Sequence, residues 1–377
     1  MMPTTPPQGS TLGEFFRRPS LMLPALVVLL LIVVPIAATL SGQTFYIALF
    51  ARMVIYALAA SALNLALGYG GLIGFGHALF IGLGAYSVSM LSHFGVANGW
   101  AHLGLAIVSC ALAGLLSGAI SLRTKGIAFI MITLAFSQIG YFVFVSLKQF
   151  GGDEGMSIVK TSRFGSIDLG SSLPVYIAAL VMLLAVILWL SRVRLAPFGM
   201  VLRAGRQNAR RVNAIGLPLL HYQLMAYVMS AALCGVAGLL LANLNAFASP
   251  GLMSWHVSGE LIVMVLLGGM GYAFGPLLGA LVFIGLEEIM KNYTEHWMAF
   301  FGPLLVVVAI TGKAGVIGLL MKLDARIAQG RGNKTESPAP AAASNEAPSV
   351  KVTIPRSGQL REKFPPKPSL TLRPEAE

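Results

Sequence analysis

The sequence contains few charged residues. Of its 377 residues, 11% are charged and 56% are hydrophobic, whereas a soluble globular domain carries charge on about a quarter of its residues. This composition excludes an ordinary soluble domain. Apolar runs that approach or exceed the roughly 20 residues needed to cross a bilayer as a helix recur along the chain. We therefore predict an all-α, polytopic transmembrane helical bundle with about 8–10 membrane segments.

Cysteine and recognisable catalytic motifs are also scarce. Cys110 and Cys234 each lie inside an apolar run, so we expect packing residues and no disulfide framework. The string nearest to a phosphate-binding loop, 330–335, lacks the second glycine. No metal cluster is plausible among the histidines, and no Ser-His-acid triad can be assembled. We expect no catalytic residue, no metal site and no cofactor bound by this chain.

The net charge of +12 has its source in loops and in the C-terminal tail, so we expect no nucleic-acid partner. The most basic loop, 192–218, lies between two apolar runs and has no acidic residue. Its arginines are Arg192, Arg194, Arg203, Arg206, Arg210 and Arg211. Loops rich in Lys and Arg stay on the cytoplasmic side of a membrane. This rule predicts cytoplasmic N- and C-termini in a multi-pass protein.

The chain divides into three parts by composition. A cytoplasmic N-terminal segment, 1–20, precedes a membrane domain, 21–321, and a Pro- and Ala-rich tail, 322–377, is predicted to be disordered. The predicted membrane segments are 21–40, 47–67, 68–91, 101–122, 126–147, 173–190, 219–241, 258–290 and 297–320. Glycines and a proline within 268–276 break one of them. That break indicates either a discontinuous helix, as in transporters, or a sharp hairpin between two tilted helices.

The basic loop contains a helical pattern. Apolar or small residues recur on one face, and three arginines lie on the adjoining face. The apolar face consists of Leu202, Gly205, Ala209 and Val212, and the arginines are Arg203, Arg206 and Arg210. Gly216 is positioned for a left-handed C-terminal cap, and Pro218 prevents continuation. We expect one short amphipathic helix whose apolar face is not covered by its own chain, so that another protein docks there.

Polar groups at membrane depth are costly and are therefore candidates for function. Asn64 and His77 bracket a glycine-rich stretch, and His77 is either a packing residue or part of a translocation path. Arg52 and Glu260 are expected near the outer ends of their spans, where side chains can extend to the interface. The candidate path residues are Asn64, His77, Glu260, Gly269 and Gly271. Glu287 and Glu288, close to Lys291, resemble a solvated helix end.

Three stretches resemble the LivM-type permease subunit of bacterial branched-chain amino acid ABC importers. Residues 62–86, ALNLALGYGGLIGFGHALFIGLGAY, are similar to that family's glycine-rich signature. Residues 151–155, GGDEG, resemble its external loop, and residues 258–280, SGELIVMVLLGGMGYAFGPLLGA, its S-x-E-L and glycine block. The resemblance runs from about residue 45 to residue 320 and leaves out the tail.

The resemblance implies that the arginine loop is the coupling segment that docks on an ATPase subunit. Its contact residues would be Arg203, Arg206, Arg210, Arg211 and Gly216. Two features depart from the family pattern: Gln207, Asn208 and Ala209 replace acidic residues, and Gly312–Gly315 replaces an R-P-x-G turn.

The sequence thus predicts a permease subunit of an ATP-driven importer in a bacterial inner membrane. The resemblance implies branched-chain or related small amino acids as the solute. Because the chain has no nucleotide-binding motif, we expect separate ATPase subunits that bind ATP, a second homologous permease and a periplasmic solute-binding protein. Two alternatives remain: a secondary transporter driven by an ion gradient, and a membrane scaffold that moves no solute.

Overall fold

A computed structural model describes residues 26–35, 42, 44–165 and 167–293, together with single positions at 296, 299, 302, 303, 315 and 318. These residues belong to one compact unit, Met1–Gln329. The predicted N-terminal segment 1–20, nearly all of the predicted last span 297–320 and the tail 322–377 lie outside the described residues.

Helices dominate the described part of the chain. They are α1 Leu26–Pro35, α2 Thr44–Asn64, α3 His77–His93, α4 Gly99–Ser121, α5 Ile127–Ser146, α6 Ser172–Leu195, α7 Pro197–Gln207, α8 Ala209–Ala214, α9 Leu219–Asn245, α10 Trp255–Gly268 and α11 Gly275–Tyr293. A π-helical turn, Leu65–Tyr69, extends α2, and 3₁₀ turns lie at Lys148–Phe150 and Pro250–Met253. Within the described residues, five helices are long and apolar enough to cross a membrane: α2 with its π turn, α4, α5, α6 and α9. This confirms the all-α polytopic class.

Helices α2 and α9 form the centre of the bundle. Helix α9 packs against α2, α3 and α4, and α2 also contacts α6 and α11. Small residues permit close helix approach, because a Cβ at Gly84 or Gly238 would overlap backbone atoms of the facing helix. Both cysteines, Cys110 and Cys234, are buried and free, which confirms their predicted packing role.

The predicted segment 68–91 is not one helix. Its backbone is irregular over 70–76, and α3 begins only at His77. The Phe75 amide donates to Thr133 Oγ1 (3.0 Å), and the Phe75 carbonyl accepts from Ser258 Oγ (2.8 Å). Ser258 Oγ also accepts from the Ala78 amide (2.9 Å). Side chains of α5 and α10 therefore satisfy the broken backbone, which is how non-helical segments are tolerated at membrane depth.

A second irregular segment precedes α10. The 3₁₀ turn Pro250–Met253 is tied to α5, because Ser137 Oγ donates to the Met253 carbonyl (2.7 Å). Ser137 lies in the middle of α5, so the chain reaches mid-depth before α10 starts at Trp255. The 14 residues of α10 span about 21 Å, which is less than the roughly 30 Å of hydrocarbon.

The predicted break within 258–290 is confirmed, and it is a hairpin. Helix α10 ends at Gly268 and α11 begins at Gly275. A Cβ at Gly268 would overlap the Gly275 carbonyl, and a Cβ at Gly279 would overlap the Met264 carbonyl. The two helices therefore pack antiparallel, with their backbones in contact.

The loop that joins α5 to α6 closes over the connection before α10. Strand β1, Met156–Ser157, pairs antiparallel with β4, Phe247–Ala248. Strands β2, Arg163–Phe164, and β3, Ile167–Asp168, form a separate hairpin. A Cβ at Gly155 would lie 2.5 Å from the Ala248 carbonyl oxygen, so glycine is required there. The glycine-rich string 151–155 is thus part of this closure.

Candidate functional site

Asn64 connects the end of α2 to the hairpin turn between α10 and α11. Its side chain is fully buried. Its Nδ2 donates to the Tyr272 carbonyl (3.0 Å), and its Oδ1 accepts from the Gly271 amide (3.0 Å). Two of the predicted path residues, Asn64 and Gly271, are therefore in direct contact.

Gly68 allows the two glycine-rich breaks to touch. A Cβ at Gly68 would overlap Asn64 Oδ1 and would lie 2.8 Å from the Gly271 amide nitrogen. Backbone atoms cannot yield as a flexible side chain can, so any larger residue would separate the breaks. The glycine-rich stretch after Asn64 and the break within 268–276 are therefore in physical contact.

Arg206 attaches the basic loop to the same place. Its guanidinium donates to the Gly68 carbonyl, and its side-chain stem crosses Gly71, where a Cβ would lie 2.8 Å from Arg206 Cγ. Gly71 has φ +70°, a left-handed conformation that glycine adopts readily. We call Asn64, Gly68, Gly271 and Arg206 the glycine hub. Through this hub, the loop is bonded to the end of α2, and α2 to the hairpin.

The predicted amphipathic helix is two helices. Helix α7 ends at Gln207 and α8 begins at Ala209, with extended backbone at Asn208. The Asn208 side chain accepts from the Arg211 amide (3.1 Å) and caps α8. The prediction of a single helix is therefore wrong. The apolar positions keep a helical spacing across Asn208, although the side chain of Asn208 caps a new helix there. Asn208 is one of the positions where the chain departs from the acidic family pattern.

The apolar face of the loop is covered by its own chain. Leu202 and Val212 are buried, and a Cβ at Gly205 would overlap Leu219 at the start of α9. The expectation of an uncovered apolar face is therefore wrong, since α9 returns across it. The loop exposes Leu195, Met200 and Ile215 instead.

The loop arginines point in two directions. Arg203 donates to the carbonyls of Arg194 (2.9 Å) and Gly199 (3.4 Å), so it stays within the loop. Arg210 and Arg211 are exposed and form no ion pair within the described residues. Gly216 has φ +84° and follows Ile215, the C-cap residue of α8, which confirms the predicted left-handed cap.

A charged cluster lies in the halves of α2 and α11 that are remote from the glycine hub. Arg52 Nη2 and Lys291 Nζ both contact Glu287 Oε1, at 3.4 Å and 2.6 Å. Glu287 is buried, with 8% of its surface exposed, so its prediction as a solvated helix end is wrong. Arg52 pairs with it across 235 residues instead of only extending to the interface. No local pattern in the sequence could signal such a pair.

Glu260 lies in α10 and is partly buried. It forms no ion pair within the part of the chain that the structure describes.

His77 lies at the first residue of α3, in the core. Its ring contacts Phe80 and Tyr227 edge-on at centroid distances of 5.6 and 5.4 Å. Its Nε2 is 3.0 Å from Ser230 Oγ, which itself donates to the Ala62 carbonyl. Nε2 is therefore the donor in its contact with Ser230. These are the contacts of a packing residue in the conformation described.

Gly269 lies at the start of the hairpin turn. Its amide donates to the Val265 carbonyl (3.0 Å) and closes the last turn of α10. A Cβ at Gly315 would overlap the Gly269 amide, so a residue near the C-terminal end of the predicted last span reaches the hairpin.

Ser258, which bonds both sides of the break before α3, did not appear among the predicted site residues. Its place in the S-x-E-L motif was the available signal.

Taken together, membrane-depth helices broken at glycines and bonded to a basic loop define a polytopic membrane transport subunit. The family model for the branched-chain amino acid transport system permease component matches residues 45–309. The match spans well over half of the chain, which therefore belongs to this family. Membership confirms the predicted resemblance and the predicted class, a membrane permease subunit.

Curated relatives agree with the family assignment. The chain is 28% identical over 287 residues to the high-affinity branched-chain amino acid transport system permease protein LivM of Escherichia coli, covering 70% of this chain and 68% of the relative. The LivM protein of Salmonella typhimurium gives the same identity and coverage. A probable LivM protein of Methanocaldococcus jannaschii is 26% identical, covering 70% of this chain and 90% of the relative. No solved structure matches the chain significantly.

Proposed function

We propose that this chain forms part of the translocation path of an ATP-driven importer of branched-chain amino acids. It would work with separate ATPase subunits that bind ATP, a second homologous permease and a periplasmic solute-binding protein. The observation that carries the proposal is the glycine hub, in which Arg206 of the basic loop bonds Gly68 and Asn64 bonds Gly271. A displacement of the loop would act directly on two broken membrane segments.

The residues of the loop would have different roles in coupling. Arg210 and Arg211, which point outward, would contact the ATPase, while Arg203 and Gly216 hold the shape of the loop. Arg206 would pass the movement to Gly68. Closure of the ATPases would then reposition the breaks and alternate access to the path, as rocking of packed repeats does in other transporters.

The charged cluster and the hub would bound the path at two depths. Arg52 and Glu260 are each only partly buried within the described residues, and charged groups at membrane depth avoid lipid. Their face therefore suits an aqueous path or the second permease. At the cytoplasmic end of the path, Gly271 would lie at the wall, with Asn64 and Gly269 buried behind it. His77 would hold the start of α3.

The proposed orientation places the basic loop and both termini in the cytoplasm of a cell with an inner membrane. The distribution of charge among the loops supports this orientation. The turn 122–126 and the loop 192–218 carry cations and no acid, whereas the loop 148–172 at the other end of these helices carries as many acids as cations. The termini themselves lie outside the described residues.

Uptake into vesicles tests this function. The chain would be reconstituted with its ATPase subunits, second permease and binding protein, and uptake of labelled leucine would be measured with and without ATP. We expect ATP-dependent uptake that vanishes when the ATPase subunits are omitted. Uptake that persists without them would contradict the proposal and favour an ion-gradient transporter.

A shortened chain separates the permease from the scaffold. Removing residues 322–377 should leave ATP-dependent uptake intact, because the path residues lie outside that segment. Loss of uptake in a shortened chain that still inserts and assembles would favour a scaffold function for the tail.

A further inference from the structure

A cavity of about 430 Å³ lies beside the glycine hub. It is bounded by the irregular segment 70–73, the turn between α4 and α5, and the basic loop. Three cations contribute to its lining, Arg123, Lys125 and Arg206, and no Asp or Glu does so. Such a cavity attracts an anion.

The cations of the α4–α5 turn are available to a ligand. Arg123 and Lys125 are exposed and form no ion pair within the described residues. Arg206 already donates to the Gly68 carbonyl, and its positive charge remains uncompensated there. The three charges therefore meet without a carboxylate from the described chain.

The rest of the cavity wall is mainly apolar. Leu72, Ile73, Phe129 and Ile130 line it, and Thr124, Asn213 and Gln223 add neutral polar groups. A site for a small soluble anion would not need this apolar surface. A ligand that combines a negative headgroup with a hydrocarbon part matches both halves of the lining.

The cavity also adjoins a surface suited to lipid. Helix α5, which supplies Phe129 to the cavity, has an apolar outward face, with Ile127 and Met131 exposed by 74% and 60%. The turn 122–126 lies directly between two helices that are long and apolar enough to cross the membrane, α4 and α5. It therefore lies where phospholipid headgroups are found.

We propose that this cavity binds the phosphate headgroup of an anionic phospholipid, with the acyl chains along α5. The cytoplasmic leaflet carries the anionic lipids that basic surface segments attract, so the choice of leaflet rests on the proposed orientation. A bound headgroup would bridge the α4–α5 turn and Arg206. It would thereby hold the hub against the loop that couples to the ATPase.

Native mass spectrometry of the delipidated full chain tests this site, with phosphatidylglycerol as the probe and phosphatidylcholine as the neutral comparison. The test variant carries Arg123→Gln and Lys125→Gln. The matched control carries Arg192→Gln and Arg211→Gln, which removes two cations of the basic loop that do not line the cavity. A charge-conserving variant, Arg123→Lys, and helical content by circular dichroism show that loss of binding is not loss of fold.

We expect the wild type to retain phosphatidylglycerol in preference to phosphatidylcholine. The test variant should bind it about 30-fold more weakly, given a contribution of about fivefold from each cation near a membrane surface. The control and Arg123→Lys should bind as the wild type does. Equal binding of both lipids, or full binding by the test variant, would overturn the proposal. Displacement of the lipid by millimolar inorganic phosphate would overturn the proposal and assign the site to a soluble anion. Lipid binding that appears only after removal of 322–377 would also overturn it, because the tail would then be the occupant of the cavity.

Discussion

The two ends of the membrane domain use charge differently. At the end that carries the basic loop, the described cations have no acidic partner, and Arg203 and Arg206 donate to backbone carbonyls instead. At the other end, Glu287 is shared by two cations and Asp168 is paired with Arg163. All ion pairs within the described residues belong to this second end.

The difference indicates what each end is built for. Paired charges fix side chains and stabilise one arrangement. Unpaired cations held by carbonyls keep their charge available to a partner, and their hydrogen bonds transmit movement to the backbone. We therefore expect substitutions in the glycine hub to affect both transport and stability, and substitutions in the paired cluster to affect mainly stability.

The largest effect should come from Gly68→Ala. Its new methyl group would overlap Asn64 Oδ1 and crowd the Gly271 amide, so overpacking and the loss of Asn64 hydrogen bonds should together cost about 3 kcal/mol or more. Thermal unfolding and ATP-dependent uptake of the reconstituted transporter measure both consequences. The matched control is Gly104→Ala, where no atom lies within 4 Å of the new Cβ. Equal behaviour of the two variants would contradict the close contact between the breaks.

An intermediate effect is expected for Glu287→Gln. It removes the partner of both Arg52 and Lys291, and breaking a buried pair is costly. Because the two cations are about one-third exposed, at 38% and 35% of their side-chain surface, we reduce the expected cost to about 1–3 kcal/mol. Thermal unfolding of the purified chain measures it.

The exposed Glu154 supplies the control for that experiment. Glu154→Gln should change the free energy of unfolding by no more than about 0.5 kcal/mol, as other surface substitutions do. If both variants were equally stable, the charged cluster would contribute nothing to the free energy of unfolding. The contrast between paired charges at one end and unpaired charges at the other would then be contradicted.

The smallest effect concerns pH and Asp168. The hydrogen bond from the Thr161 hydroxyl, together with the charge of Arg163 and the Gly170 amide, lowers the pKa of this exposed carboxyl. A carboxyl whose pKa is lower in the folded state stabilises the fold at neutral pH, and this contribution is lost as pH falls below about 4. Unfolding temperature should therefore fall less between pH 7 and pH 3 in Asp168→Asn than in the wild type. Asp153→Asn, which removes another exposed carboxylate, should follow the wild type.

Local features of the fold could be predicted from the sequence. Apolar runs specified the helices, clustered glycines specified the break at 268–276, and the position of Gly216 specified its left-handed cap. Each of these depends on residues that are neighbours in the chain. The resemblance of 62–86 and 258–280 to a permease family further supplied the function.

Features that depend on distant residues could not be predicted. The pairing of Arg52 with Glu287 joins residues 235 positions apart, and the burial of Leu202 depends on the return of α9. The break at Asn208 was hidden because a side-chain cap interrupts the helix without interrupting its periodicity. The bond of Arg206 to the Gly68 carbonyl likewise joins residues 138 positions apart, so the sequence could not indicate it.

Coupling stoichiometry tests the central claim most directly. Leucine transported and ATP hydrolysed would be measured together in the complete reconstituted transporter with Arg206→Gln or Arg210→Gln. Loss of a charged hydrogen bond costs about 1.5–3 kcal/mol, so Arg206→Gln should transport at least about tenfold less leucine per ATP. Arg210→Gln should lower hydrolysis and transport together and keep their ratio, since it acts on docking. An unchanged ratio in Arg206→Gln would contradict transmission through the glycine hub.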